Sequence, residues 1–441
     1  IKDNSLDVEI FGLGFVGFPR AVRLASQGVN VIGIDTSPKR IERLQDNSLM
    51  DSEFRLKDKF LSCRNNGNLI LANTPKESKK SKIGIICVPT PIPSEGTSSD
   101  IFVKSAVENF LRFAKTGDLI ILESSIEVGT TEKIKEIIES KGFKVGSDFG
   151  LCFCPERIDP DNKEWHVENI VRVIYCSDDT SYEIATQIYM HVNNANLIRV
   201  DSPRIAEVVK SFENTFRLVN ISLVNELAIL CDKLDINVRS VIDAAATKPF
   251  GFLPHYPGAG AGGHCIPKDP RFLLESSKKF NSNFTTIENA LKINNYMPSY
   301  IANSIEKSLE MMDLEKSVLV CGLSYKANVE DMRDSASFKV INELNKKGFK
   351  VYGYDPLFRM DHVQKYLIEN NLKEINFEIS QDLSEKSLEN ISCLCIVQHH
   401  EQMKNRIKEI YDKSLVPFIY DCQNKIHKNP SAKTILDCLG S

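Results

Sequence analysis

A chain of 441 residues exceeds what one hydrophobic core ordinarily serves, so two or three domains are expected. Hydrophobic residues at 42% and charged residues at 26% give the balance of a globular protein, and a formal net charge of −4 argues against a global field for nucleic acid or an anionic membrane. No apolar run approaches the roughly 20 residues of a membrane helix.

The N-terminal stretch IKDNSLDVEIFGLGF passes almost at once into an apolar strand over 7–14 and carries no secretory pattern, which predicts a cytoplasmic protein. A helix over 18–28 ends at glycine, and NVIGID (30–35) is a second strand. Further strands are predicted over 81–91, 118–125 and 150–156, each followed by turn or polar residues. This rhythm predicts a parallel, doubly wound α/β sheet. After Asp201-Ser202-Pro203 a helical pattern runs uninterrupted from about Arg204 to about Lys233. Ser202 suits the N-cap and Pro203 the first helical position. Apolar residues recur along it at Ile205, Val208, Val209, Phe212, Phe216, Val219, Leu223, Leu227 and Leu230. The strand rhythm restarts at 317–326, with a helix over 335–348 and strands over 349–356, 391–400 and 416–422. The expected architecture is therefore two Rossmann-like doubly wound domains joined by a long central helix. Its boundaries are expected at 1–197, 198–303 and 304–441.

Twelve cysteines are scattered singly, and CFC (152–154) and CLC (393–395) alternate as strands do rather than forming CxxC metal pairs. Most are expected to be small core hydrophobes in a reducing compartment, and no metal is expected.

GLGFVG (12–17) satisfies GxGxxG between a strand and a helix through Gly12, Gly14 and Gly17. The first glycine makes the turn, the second admits a pyrophosphate, and the third lets helix and strand pack. The helix N-terminus would supply N–H groups to the phosphates. Asp35 ends the next strand where a carboxylate binds a ribose 2′-OH, which predicts NAD rather than NADP. A tight turn without a ligand is the bland alternative. Lys210 and Asn214 lie four apart on one face of the long helix, suited to stabilising an oxyanion or holding water, or else a snorkelling lysine and a surface amide. Glu156, beside Arg157, follows a strand end and could be a general base or a substrate-positioning group. ESSIEVGTT (123–131) suits hydrogen bonding to a cofactor or sugar, or is a polar loop.

GAGAGGHCIPKDP (258–270) puts Cys265 at the end of a glycine-rich turn, where backbone can approach a ligand and a nearby lysine favours the thiolate. His264 is expected to pack or to act from outside the site. A nucleophilic cysteine with a nicotinamide cofactor suggests aldehyde oxidation through a thiohemiacetal and a hydrolysable thioester. If the same site first oxidises an alcohol, two NAD+ are consumed.

GLGFVG, ICVPTP, PERIDPDNK, AEVVKSFENTFRLVNISLVNELA, FGFLPHYPGAGAGGHCIPKDP and GLSYKANVEDMRDS together resemble the UDP-glucose/GDP-mannose dehydrogenase family, in order and over essentially the whole chain. The resemblance implies an N-terminal NAD domain, a central dimerising helix and a C-terminal nucleotide-sugar domain. It also implies two-step oxidation of a sugar C6 alcohol to a uronate. It implies Cys265 as nucleophile, Lys210 and Asn214 as oxyanion and water groups, Glu156 in acid/base work and thioester hydrolysis, and Asp269 as assisting base or orienter of the lysine. Cofactor contacts are expected from Gly12, Gly14, Phe15, Val16, Gly17, Asp35, Pro89, Thr90, Ser125 and Arg333. Substrate contacts are expected from Glu156, Arg157, Lys210, Asn214, Tyr256, Gly258, Gly262 and Lys326. Within the family the chain looks most like the branch oxidising UDP-N-acetylhexosamines, with UDP-GlcNAc expected first and UDP-ManNAc the close competitor. A homodimer is expected.

Glu127 stands where the family has a proline, Ala259 replaces the proline of its PGPG run, and Gln423 replaces a late arginine. The first two should loosen their loops, and the third should weaken phosphate binding unless Lys268 compensates. A sugar-nucleotide-binding protein without turnover, or a 3-hydroxyacid-type dehydrogenase that needs no cysteine, are the other readings. NADH stoichiometry separates them.

Overall fold

The computed structural model of the chain describes all residues except 1–5, 48, 50–54, 78–79, 92–99, 158, 160–161, 163, 166–168, 194–195 and 373. Part of the PERIDPDNK motif therefore lies outside the described residues. The chain forms two compact units, Ile1–Glu213 with Arg271–Asn283, and Asn214–Pro270 with Phe284–Ser441.

The first unit is built on eight strands: β1 (Leu6–Phe11), β2 (Asn30–Ile34), β3 (Leu69–Ala72), β4 (Ser81–Ile86), β5 (Leu119–Leu122), β6 (Gly150–Phe153), β7 (Arg172–Cys176) and β8 (Leu197–Arg199). Their order in the sheet is β3-β2-β1-β4-β5-β6-β7-β8, so the first six take the Rossmann order. Strands such as LIIL of β5 and GLCF of β6 are wholly buried, as continuous apolar runs in a sheet covered on both faces should be. Each buried leucine, isoleucine or phenylalanine among them contributes about 1.5–3 kcal/mol.

The sheet is not parallel throughout: β7 pairs antiparallel with β6. Parallel pairing needs a crossover, usually helical. No helix occurs among the described residues of 154–171.

The second unit repeats the design with β9 (Ser317–Cys321), β10 (Lys350–Tyr354), β11 (Glu378–Ile379), β12 (Cys393–Ile396), β13 (Phe418–Asp421) and β14 (Ile435–Cys438), ordered β11-β10-β9-β12-β13-β14. Every pairing in this sheet is parallel. The repeat extends to the first turn. Gly12 N–H donates to Ile34 and Asp35 accepts from Leu13 N–H, while Gly322 N–H donates to Tyr354 and Asp355 accepts from Leu323 N–H. Only the first turn carries the three glycines of GxGxxG. In the second, Ser324 sits at the middle glycine's place and the helix begins only at Ala336.

The central helix, Pro203–Leu234, is 32 residues long, or ~48 Å at 1.5 Å per residue. Its expected apolar stripe is largely exposed: Ile205, Val208, Phe212, Phe216, Leu223 and Leu230 all face outward. The buried face instead carries Ala206, Glu207, Ser211, Asn214, Thr215, Leu218, Ser222 and Asn225. These polar groups are anchored: Glu207 accepts from Gly129 N–H, Thr131 N–H and the Thr131 hydroxyl, and Ser222 donates to the Ala290 carbonyl.

Candidate active site

In the first unit the turns after β1, β2, β4 and β5 carry the expected cofactor residues other than Arg333, which belongs to the second unit. A methyl on Gly12, at φ +88°, would sit 2.7 Å from the Cys87 carbonyl, and one on Gly17 would lie 1.9 Å from the Gly12 carbonyl. Gly14 has nothing within 4 Å of a Cβ, so this glycine keeps open the space a pyrophosphate needs. The helix Gly17–Ser26 has no side-chain cap at its N-terminus; within its first turn Phe18 N–H donates to the Gly14 carbonyl at 3.1 Å and Pro19 carries no N–H. Phe15 and Val16 are exposed. Asp35 is half-buried, with one oxygen accepting from Leu13 N–H and the other from Ser37 N–H, both at 2.9 Å. After β4, Pro89 is exposed and Thr90 buried. These residues fit a dinucleotide.

The side chains of the loop after β5 are tied to other segments of the unit. Ser124 donates to the Val88 carbonyl at 2.7 Å, Thr131 is held by Glu207, and Ser125 is half-buried. Glu127 does not stand as an uncompensated charge, because Lys279 pairs with it.

Glu156, just after β6, is the most constrained expected residue. The Arg20 guanidinium donates to it at 2.8 Å, Arg172 at 2.9 Å and the Arg157 N–H at 2.8 Å. Burial alone would raise its pKa, but the Arg172 and Arg20 charges, the Arg157 N–H and the charge of Lys210 outweigh it and hold it at about 2. Arg157 turns to Glu213 at 2.6 Å and to the Val171 carbonyl at 2.6 Å.

In the second unit Cys265 is exposed, and its carbonyl accepts from the N–H groups of Lys268 (3.2 Å) and Asp269 (2.8 Å). Asn214, on the central helix one turn after Lys210, donates to the buried Asp269 carboxylate at 2.6 Å. Lys268 lies 3.8 Å from the same carboxylate, which occupies it beside the cysteine. The glycine loop is pressed against the turn after β9. A methyl on Gly262 would reach 2.7 Å from the Asp334 carbonyl, and one on Gly263, at φ +83°, 2.6 Å from the Tyr325 ring. His264 is kept neutral: burial, then Lys268 and Arg333, push its pKa down to about 3. Arg333 is gripped by Asp331 at 2.7–3.0 Å and is held charged by Asp331 and Cys265 against its burial.

The structure brings Cys265, Asn214, Asp269 and Arg333 into one neighbourhood of the second unit, and Glu156 and Lys210 into one neighbourhood of the first. Tyr256 points its hydroxyl at Asp243 (2.6 Å) under the Arg239 guanidinium (4.3 Å). Gly258 N–H donates to Asn225, and Lys326 is half-buried with its carbonyl accepting from Ser324. Gln423 is committed to the Val397 carbonyl and to Gln398. Ala259 is buried in the core beside Ile301 and Ala302.

Sequence reasoning missed Arg20, Glu123, Arg172 and Tyr189. An arginine inside the apolar segment RVIYC is the one available signal, because a charge in a buried strand must have a partner.

A Rossmann-ordered sheet with a GxGxxG cradle and an acid ending β2 defines an NAD-binding oxidoreductase scaffold, here followed by a second Rossmann-like domain. Three consecutive segments match the UDP-glucose/GDP-mannose dehydrogenase family: residues 6–193 its NAD binding domain, 204–296 its central domain and 319–428 its UDP binding domain. The chain belongs to this family of nucleotide-sugar dehydrogenases. It is 35% identical over 428 residues to UDP-N-acetyl-D-mannosamine dehydrogenase of Methanococcus aeolicus, covering 95% of this chain and 91% of the relative. It is 30% identical over 371 residues to UDP-N-acetyl-D-glucosamine 6-dehydrogenase of Salmonella typhi, covering 82% and 85%. The solved UDP-D-ManNAc dehydrogenase of Pyrococcus horikoshii is similar in structure at a TM-score of 0.83 and 28% identity, over 98% of this chain and 99% of that one.

Proposed function

We propose that this protein is an NAD-dependent 6-dehydrogenase of a UDP-N-acetylhexosamine. The observation that carries the reading is Cys265, an exposed thiol on a glycine loop whose carbonyl anchors Asp269, itself bonded to Asn214. NAD, held by the Gly12–Gly17 turn and Asp35, would supply a hydride acceptor at each of two oxidations. After the C6 alcohol has become an aldehyde, the Cys265 sulfur adds to its carbon and gives a thiohemiacetal. Loss of a second hydride from that carbon leaves a thioester. Water attacks it, the C–S bond breaks and the uronate leaves with the thiolate restored. Lys210 and Asn214 are assigned the alkoxide and the water, Asp269 the orientation of its neighbours, and Glu156 and Arg157 the substrate end of the first unit. Arg333, Tyr256, Gly258, Gly262 and Lys326 are assigned to the ligand-binding loops of the second.

UDP-N-acetylmannosamine is the favoured sugar, because the relatives matching over nearly the full chain carry that name. UDP-N-acetylglucosamine, the first expectation from the sequence, is supported by the Salmonella relative and stays as the second reading. The uronate would serve as a precursor for surface polysaccharide. A homodimer through the outward apolar side chains of the central helix completes the proposal.

The test is a panel of UDP-ManNAc, UDP-GlcNAc, UDP-GalNAc and UDP-glucose read by NADH. Two NADH per UDP-N-acetylhexosamine are expected. Binding of UDP-sugar without any NADH, or one NADH per turnover from a small hydroxy acid, would overturn the reading.

A further inference from the structure

The buried polar group behind Glu156 is larger than the chemistry above requires. Arg20, from the first helix, is 3% exposed and reaches Glu156 at 2.8 Å and Glu123 at 2.9 Å through one nitrogen. Arg172, from β7 and fully buried, reaches the same Glu156 oxygen at 2.9 Å and the Cys154 carbonyl at 2.8 Å. Glu123, at the end of β5, takes the Tyr189 hydroxyl at 2.7 Å, and the Arg172 guanidinium lies over the Tyr189 ring at 4.5 Å. Two guanidiniums and two carboxylates thus make a buried set with no net charge. Burying either arginine without its partners would cost several kcal/mol. The Glu156 side chain, at 12%, is the only one of the four with appreciable exposure.

The groups that bear on the charge of Glu156 are Arg172 on β7, Arg20 from the first helix, the N–H of its neighbour Arg157 and Lys210 on the central helix, and its own charge bears on Cys87 after β4. Glu123 after β5 and Tyr189 on the helix Asp179–Asn193 face both arginines, and Cys154 after β6 faces Arg172. The positive groups prevail, which is why the Glu156 carboxyl titrates near 2. A carboxylate that binds a proton so weakly is a poor acceptor at neutral pH, since a general base works best with a pKa near the working pH.

We propose that Arg20 and Arg172 are positioning residues that lock the Glu156 carboxylate in one orientation and one charge state, so that it orients water and charge in the uronate-forming reaction and does not carry the proton. The inference rests on Glu156 belonging to the reacting site, as the proposed function has it. Two guanidiniums on one oxygen fix the carboxylate plane more tightly than a single contact does. The second oxygen takes the Arg157 N–H.

The experiment uses the full-length enzyme and the sugar that gives two NADH, with kcat and KM followed from pH 5 to 9. In Arg20→Leu/Glu123→Gln the buried set stays neutral while Glu156 loses one of its two arginines. The wild type is expected to show no limb from Glu156 above pH 5. The double variant is expected to gain an acid limb along which kcat falls tenfold per pH unit, with KM within about twofold. Arg20→Lys keeps the charge and loses the fork, and should lower kcat about tenfold without the new limb; this holds the test open if the double variant does not fold by circular dichroism. Profiles and kcat values of the folded variants that superimpose on the wild type would overturn the proposal. Glu156→Gln separates the two failures. Full activity there removes Glu156 from the reaction and with it that part of the proposed function, whereas a slow Glu156→Gln beside unaltered arginine variants sinks the clamp alone.

Discussion

Cys265 is an exposed thiol among twelve cysteines of which ten are buried and one is half-buried. Among the buried ones Cys321 and Cys422, for instance, are pushed well up by burial before any neighbouring charge acts. Cys265→Ala should therefore lower uronate formation by on the order of 10³-fold or more while leaving UDP-sugar binding within a few-fold, measured by NADH release and calorimetry. Uronate forming at the wild-type rate would exclude the covalent route. His264 stands next to Cys265 but titrates near 3, so it is neutral throughout the working range. His264→Gln should leave the shape of the kcat profile between pH 5 and 8 unchanged; a lost limb there would show that the imidazole carries a proton.

At the scale of the element, the GxGxxG turn separates two duties that the motif joins. Gly17 packs helix to strand, with no room for a methyl, whereas Gly14 meets only open space. Gly14→Ala is expected to melt within about 1–2 °C of the wild type and to bind NAD roughly tenfold more weakly. Gly17→Ala is expected to lose both binding and several degrees of stability. Equal melting temperatures for the two variants would contradict this division. The central helix inverts the usual rule, keeping the amides of Asn214 and Asn225 inside and its phenylalanines outside. Period alone marked the helix, but which side is buried depended on the partners Asp269, Ala290, Gly129 and Thr131, none of them near it in sequence.

For the whole molecule, the shifted groups predict how stability follows pH. Glu156 and His264 have folded pKa values below their unfolded ones, so what they contribute is present above about 4.5 and 6.5 and is lost as pH falls toward about 2 and 3. Glu9 is the opposite case. Burial raises it to about 7 despite Lys82 at 3.4 Å, so its contribution is full below 4.5 and is lost as pH rises through 7. Lys82→Met should then cost about 3–5 kcal/mol at pH 8, and the deficit should shrink toward pH 5 as Glu9 takes up a proton. Denaturant melts at the two pH values test this, and an equal deficit at both would refute the assignment.

The sequence by itself determined the elements and the cofactor cradle, because both are local. Strand runs such as LIIL and SVLVC, the glycines of 12–17 and Asp35 carry their instructions within a few tens of residues. It also marked Cys265, Lys210, Asn214 and Glu156, through their setting and the family resemblance. Only the tertiary structure decided that Glu156 would be a clamped anion, that Lys279 would neutralise Glu127, that Gln423 would be tied to Val397 and Gln398, and that β7 would run antiparallel. Charge state and pairing depend on which distant groups share a low-dielectric space, and spacing along a chain does not encode that.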